Sequence, residues 1–195
     1  MRIVVTGGPS VGKTTIINLL AERGYKVVKE VATQLIKEGK FAPWIDLHKF
    51  QMEILRQQLN IESSLLEFDK ITFLDRGAFD GEAYYIADGR QVPQAFYSID
   101  QSQYDMAFLV EPLPFFDTNE VRREDLEFTK KISPLIESCY TSRKIKVVHV
   151  PALNPDERVD FILDEVNKYR NSRVVSAEQA AAMFRMASPV VSSFS

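Results

Sequence analysis

The hydrophobic positions of this chain fall into short solid runs that alternate with longer, periodic ones. Ile3-Val4-Val5-Thr6 is a β-branched run that stops at glycine, the pattern of a strand buried on both faces of a parallel sheet. From Lys13 the spacing of Ile16, Ile17, Leu19 and Leu20 is helical, and Gly24 supplies a stop before Tyr25-Lys26-Val27-Val28, a second short strand. A short helix over 31–37 precedes a long amphipathic one over 46–68, in which Leu47, Phe50, Ile54, Ile61, Leu65 and Phe68 recur at helical intervals. Ile71 to Leu74, Met106 to Val110 and Ile145 to Val150 complete a set of five apolar strands, with Tyr- and Phe-rich segments between the third and fourth. A polar helix starting near Thr118 carries Arg122 and Arg123 near its start and Ile132, Ile136 and Tyr140 on a later face, and Pro134 is expected to kink or interrupt it. Asn154-Pro155-Asp156-Glu157 is a helix start, with a capping amide, proline at the first helical position and acids in the first turn.

Alternating helices and short buried strands imply an α/β protein with an open, mainly parallel sheet of about five strands and helices on both faces. One domain over 1–170 is expected, and the last stretch, 171–195, loses charge and gains Ala, Ser and Met, as a short helix or a disordered tail. The composition changes this picture only by exclusion. Lys+Arg 24 against Asp+Glu 27 leaves a net charge of -3, which argues against a broadly basic nucleic-acid binder while leaving room for a local basic patch. One cysteine, Cys139, rules out an intrachain disulfide and a cysteine-rich zinc site and suits a reducing compartment. The first apolar run is cut by Gly7, Gly8 and Pro9 well before it could span a membrane or form a signal-peptide core, so a cytoplasmic location is expected.

The chemistry begins at those glycines. Gly7-Gly8-Pro9-Ser10-Val11-Gly12-Lys13-Thr14 fits G-x-x-x-x-G-K-[ST] between a buried strand and a helix, the context that makes the pattern a phosphate-binding loop. Its backbone N–H groups and the helix N-terminus converge on phosphate oxygens. Lys13 is expected to reach the β- and γ-phosphates, Thr14 to place its hydroxyl on Mg²⁺, and Thr15 to donate to an α-phosphate. Ligands of such sheets lie beyond the C-terminal strand ends, which nominates four further places. Asp75 closes the third strand and either holds Mg²⁺ through water or takes a proton from an attacking hydroxyl, and Arg76 beside it binds substrate or phosphate; a helix-capping turn is the plainer alternative. Glu30 follows the second strand and can hold an acceptor hydroxyl or serve as its base, or sit on a solvated loop. Arg122 and Arg123 oppose the dipole at their helix start, which suggests an anionic partner and a mobile lid; pairing with Glu124, Asp125 or Glu127 is the alternative. Pro151-Ala152-Leu153-Asn154 after the fifth strand can supply backbone and apolar contacts to a nucleobase, with a plain loop as the alternative. Trp44, Phe41, Tyr84, Tyr85, Phe96 and Tyr97 are read as core rather than as an acceptor pocket.

Taken in order, RIVVTGGPSVGKTT, KEVATQ, FLDRG, FLVEPLP and VRREDLE resemble the small AAA-like P-loop ATPase family, over roughly Met1 to Tyr169. That family is related to the ribosylnicotinamide kinase domain of bacterial NadR and includes the nucleotide-binding part of the TRP-like-channel translocation-defect protein. No arginine-finger and sensor arrangement of ring-forming AAA machines is visible. The resemblance implies a three-layer P-loop NTPase fold with a helical lid, without the triphosphate-tunnel-like domain of longer relatives. By analogy with nucleoside and nucleotide kinases it implies Asp75 for Mg²⁺ or the acceptor, Glu30 for the acceptor, and Arg122 and Arg123 for the lid. The expected function is therefore an ATP- and Mg²⁺-dependent kinase acting on a nucleoside-like hydroxyl. The alternatives are a nucleotide switch or binding module without an acceptor and, less in keeping with the acidic balance, a nucleic-acid end kinase.

Overall fold

The computed structural model describes residues 1–65, 70–113 and 120–187, with only the helical backbone described at 120–125, 176–178, 180 and 181–187. Five strands form one sheet: β1 (Arg2–Thr6), β2 (Lys26–Val28), β3 (Thr72–Asp75), β4 (Met106–Val110) and β5 (Lys146–Val150). Their order is β2-β3-β1-β4-β5 and every neighbouring pair is parallel. The register aligns Val5 with Asp75 on one side and with Phe108 on the other, so the residues that end β1, β3 and β4 reach the same edge of the sheet. All residues of β3 and β4, and Ile3 to Thr6 of β1, are buried, as strands covered on both faces must be. Parallel neighbours require crossovers, and those crossovers are the helices that cover them.

The helices are α1 (Lys13–Glu22), α2 (Val31–Lys37), α3 (Leu47–Ser63), α4 (Asp80–Ala87), α5 (Gln94–Tyr97), α6 (Glu120–Thr141) and α7 (Pro155–Ala187). α1 packs on β1, β2 and β3, α6 on β4 and β5, α4 against α6, and α2 against α3. Under the sheet, Phe79 stands edge-on to Tyr104 at 5.5 Å and to Tyr140 at 5.6 Å, in a cluster that includes Val4, Leu74, Ile132 and Ile136. Each such ring or branched chain fully removed from water contributes about 1.5–3 kcal/mol. Gly77 is required here, because a Cβ at that position would stand 2.6 Å from the Tyr140 hydroxyl oxygen.

Two expected features differ. The long helix expected over 46–68 ends at Ser63: Ser64 Oγ donates back to the Ile61 carbonyl at 2.6 Å and closes the last turn, and Phe68 lies outside the described residues. Pro134 does not interrupt α6, which runs through it, because Ile132, Ile136 and Tyr140 on either side are fully buried and hold the helix in place. The expected start of that helix near Thr118 lies outside the described residues. The start of α7 is as expected, with Glu157 N–H donating to Asn154 Oδ1 at 3.0 Å and Asn154 N–H to Glu157 Oε2 at 3.2 Å. Met1–Val159 form one compact unit, which contains the whole sheet; Asp160–Ser195 form a second, within which α7 continues to Ala187 and Lys168 pairs with Glu165 at 2.9 Å.

Candidate active site

The phosphate loop follows β1 at the centre of the sheet, between the ends of β3 and β4, where the chain crosses from one side of β1 to the other. Its backbone is unusual in ways the glycines make possible. Gly7 has φ 140° and lies so close to β4 that a Cβ would stand 2.8 Å from the Val110 carbonyl oxygen. Gly8 faces α6: a Cβ there would lie 2.3 Å from Thr129 Oγ1, which itself donates to the Pro9 carbonyl at 3.1 Å. Ser10 and Gly12 are left-handed, and Gly12 leads directly into α1, at whose exposed first turn stand Thr14 and Thr15. Lys13 folds back over the loop, its Nζ donating to the Gly8 carbonyl at 2.6 Å. Burial first, and the charge of Arg76 second, lower its pKa to about 7.

At the end of β3, Asp75 is 2% exposed. Thr14 Oγ1 donates to its Oδ2 at 3.3 Å, and Oδ1 is buried with no hydrogen-bond partner. Burial, then the nearby charge of Glu30, pushes its pKa up to about 6. A buried carboxylate oxygen without a donor, beside the hydroxyl of the phosphate-loop threonine, fits a hard cation held by oxygen ligands, so Thr14 and Asp75 are a suitable pair for Mg²⁺. No cluster of three or more His, Cys, Asp or Glu side chains able to hold a metal occurs among the described residues.

Arg76 takes a left-handed backbone (φ 69°), which turns its side chain back across the site. Nε donates to Glu30 Oε1 at 2.6 Å, and Nη1 to Asp80 Oδ1 at 3.2 Å and to the Gly7 carbonyl at 3.0 Å. Glu30 precedes α2 and also accepts from Thr33 Oγ1; burial works against its charge, but Arg76 wins and holds its pKa below the usual value. The structure thus brings Lys13, Thr14, Glu30, Asp75 and Arg76 together. Pro151 follows β5, and its carbonyl accepts from Arg158 Nε at 3.1 Å. Arg122 and Arg123 fall in the first turn of α6, and their side chains lie outside the described residues.

The site also contains residues that the sequence reading passed over. Asp80, 3% exposed, accepts from Thr6 Oγ1, the Gly77 N–H, Tyr140 Oη and Arg76, so one carboxylate locks β1, β3 and α6 around the Arg76 turn. Its legible signal was the spacing Asp-Arg-Gly-x-x-Asp. Arg158, 2% exposed, donates to the carbonyls of Val11 at 2.8 Å, Glu111 at 2.9 Å and Pro151, tying the phosphate loop to the segments after β4 and β5. A basic residue in the first turn of a helix was the available clue. Beside Asp75 and Arg76 opens a cavity of about 500 Å³, walled by Phe50, Trp44, Tyr84, Phe128 and Gln51 among others. The sequence reading assigned Trp44 and Tyr84 to the core. The structure instead leaves Trp44 74% exposed at this cavity, while Tyr84 packs against the core cluster as expected and also lines the cavity, and Tyr85 and Phe96 are buried as expected.

A five-stranded parallel sheet with its phosphate loop at the centre and an Asp-Arg pair at the next strand end is the P-loop kinase fold. Residues 2–158 match the profile of the family described as AAA domain, and the chain belongs to that family. Among solved structures it is similar to deoxyadenosine kinase from M. mycoides with bound dATP (17% identity, 86% of this chain and 99% of that one, TM-score 0.61). It is similar also to NadR protein in complex with NR (16% identity, 86% of this chain but 49% of that one, TM-score 0.62). A third similar structure is thymidylate kinase from Ehrlichia chaffeensis (21% identity, 86% and 97%, TM-score 0.55). No curated protein matches the sequence. No helix among the described residues is long and apolar enough to cross a membrane.

Proposed function

We propose that the protein transfers the γ-phosphoryl group of ATP to a hydroxyl of a small, nucleoside-like acceptor held in the cavity beside Asp75. The observation that carries this reading is Asp75 itself: one oxygen touches the phosphate-loop threonine, the other has no partner, and the residue lines the cavity. It is the junction at which a nucleotide's terminal phosphate and an acceptor hydroxyl would meet. Deoxyadenosine kinase and NadR, both with this fold, lend the reading support by what they bind.

In the proposed reaction Lys13 leaves the Gly8 carbonyl for the β- and γ-phosphate oxygens, while the loop N–H groups of Gly8 and of residues 10–15 hold the chain of phosphates. Thr14 and Asp75 would hold Mg²⁺, which when bound neutralises charge on the phosphate oxygens. Glu30, fixed by Arg76, orients the acceptor hydroxyl. The hydroxyl oxygen forms a bond to the γ-phosphorus, the bond from that phosphorus to the β,γ-bridging oxygen breaks, ADP departs with the electron pair, and the hydroxyl proton passes to Glu30. Arg122 and Arg123 at the start of α6 act as the lid that neutralises the transferring group. The single cysteine suits a cytoplasmic setting.

The test is an acceptor panel of nucleosides with ATP and Mg²⁺, read by mass spectrometry of the product. Asp75→Asn should lower turnover about 10²-fold or more while nucleotide affinity stays within a few-fold, and Lys13→Ala should weaken nucleotide binding outright. Nucleotide binding with no transfer to any acceptor would favour a nucleotide switch instead.

A further inference from the structure

Asp80 is a buried carboxylate whose two oxygens have different partners. It begins α4 and is 3% exposed. Oδ2 accepts from the Gly77 N–H at 3.1 Å and from Tyr140 Oη at 2.5 Å, and the Asp80 N–H donates back to the Gly77 carbonyl at 3.2 Å. That oxygen is therefore fixed to the turn after β3 and to α6. Oδ1 accepts from Thr6 Oγ1 at the end of β1 and from Arg76 Nη1 at 3.2 Å. A neutral acceptor would serve the turn, Tyr140 and Thr6. A charge taken out of water is offset only by an opposite charge with good geometry, and here that charge is Arg76.

Arg76 has little freedom of its own. Nε donates to Glu30 Oε1 at 2.6 Å, Nη1 also reaches the Gly7 carbonyl at 3.0 Å, and the guanidinium carbon stands 5.7 Å from the centre of the Tyr84 ring. A guanidinium is planar, so holding Nη1 between Asp80 and Gly7 also sets the direction in which Nε points. Glu30 immediately precedes the short helix α2, and its other oxygen accepts from Thr33 Oγ1 of that helix at 2.5 Å. Thr33 belongs to the same short segment, so Arg76 is the contact that ties the Glu30 carboxylate to the sheet. Asp75 also lines the cavity and offers a competing carboxylate to which an unheld guanidinium could swing.

Resting on the reading of Glu30 as the group that orients and deprotonates the acceptor hydroxyl, we infer that Asp80 is a positioning residue for the transfer step. It acts through Arg76: the Asp80 carboxylate sets the plane of the guanidinium, and the guanidinium sets where Glu30 presents its remaining lone pairs to the hydroxyl. A base displaced by about 1 Å loses an order of magnitude or more in rate, while the phosphate loop binds nucleotide as before.

The experiment uses the full chain with ATP, Mg²⁺ and the nucleoside panel, together with ¹⁵N–¹H spectra in which the Arg76 Nε–H is identified by its loss in Arg76→Lys. In the parent protein that Nε–H should be protected from exchange with water. Asp80→Asn, which keeps the shape and removes the charge, should lose this protection and lower kcat at least about tenfold, with the KM for ATP within about threefold. Arg76→Lys should lower kcat by a similar factor, and the double variant should be little worse than either single one, because all three break the same chain of contacts. Thr6→Val removes only the hydroxyl that fixes Oδ1 and suits a buried strand; it should act in the same direction and guards against an Asp80→Asn variant that folds poorly. A folded Asp80→Asn or Thr6→Val variant that keeps both the protected Nε–H and its kcat overturns the inference while the kinase reading stands, as do losses in Asp80→Asn and Arg76→Lys that multiply in the double variant. Tight ATP binding by the parent protein with no transfer to any nucleoside overturns the kinase reading and the inference with it.

Discussion

Asp75 is held against its own preference. Burial and the neighbouring Glu30 raise its pKa, so at neutral pH the fold carries a carboxylate that would be more comfortable protonated or paired. The folded state binds protons more tightly at this position than the unfolded one, so its contribution favours the fold at acid pH and is lost as pH rises from about 3.8 towards about 6. Asp75→Asn removes the charge, and in metal-free buffer at pH 7.5 it should melt a few degrees higher by calorimetry even as it loses turnover; a lower melting temperature would contradict this balance. Lys13, Thr14, Glu30, Asp75 and Arg76 were legible in the sequence because each ends or begins an element at the same edge of the sheet. Asp80 and Arg158 were not, because their roles are set by partners brought in by the fold: Thr6 lies 74 residues from Asp80, and Val11 lies 147 from Arg158. A polar residue on an apolar stripe, or a basic one at a helix start, says that something is there without saying what.

Among the elements, α6 is the one that bears on both halves of the proposed reaction. Thr129 rests on the phosphate loop, Phe128 on the cavity beside Asp75, and Lys131 Nζ donates to the Ala87 carbonyl of α4 at 2.6 Å. Replacing Gly8 by alanine would drive a methyl group into Thr129, so Gly8→Ala should displace α6 and weaken nucleotide binding by an order of magnitude or more in a fluorescent-nucleotide titration. The other end of α6 is tethered through Glu137, whose Oε1 lies 3.0 Å from His149 Nε2 on β5, with Glu111 3.3 Å from the other ring nitrogen. The hydrogen bond to Glu137 outweighs burial and raises the His149 pKa. That tether is fully present below pH 6.5 and fades as pH rises through the raised value, so hydrogen exchange in the second half of α6 should quicken modestly from pH 6 to pH 8.5 beyond its intrinsic rise, and His149→Gln should remove that extra change. Arg158 acts between elements in the same way: Arg158→Met leaves three carbonyls without their donor and should cost about 2–4 kcal/mol in urea unfolding while raising the KM for ATP. The strands were readable because solid apolar runs ending in Gly, Asp or Pro have few alternatives. The limits of α3 and the passage of α6 through Pro134 were not, since a local side-chain cap and the burial of neighbouring residues decided them.

For the whole molecule, the net charge of -3 says nothing of the ligand, because the groups that matter are gathered at one edge of the sheet: Lys13 over the phosphate loop, and Arg76 locked between two carboxylates. The sheet, the loop and the cavity-lining residues all fall within Met1–Val159. A chain ending at residue 170 should accordingly fold and bind ATP within about threefold of the full chain, as measured by calorimetric titration; loss of binding would assign the stretch beyond 170 a part in the nucleotide site. The chain has a single tryptophan, and Trp44 stands 74% exposed on the wall of the cavity beside Asp75. An indole in that position emits like one in water, and a planar molecule seated against it should shift that emission to shorter wavelength or quench it. ATP alone, bound at the loop on the far side of Asp75, should leave the spectrum unchanged. The protein thus carries its own optical reporter, which can sort candidate acceptors by colour before any product has been made.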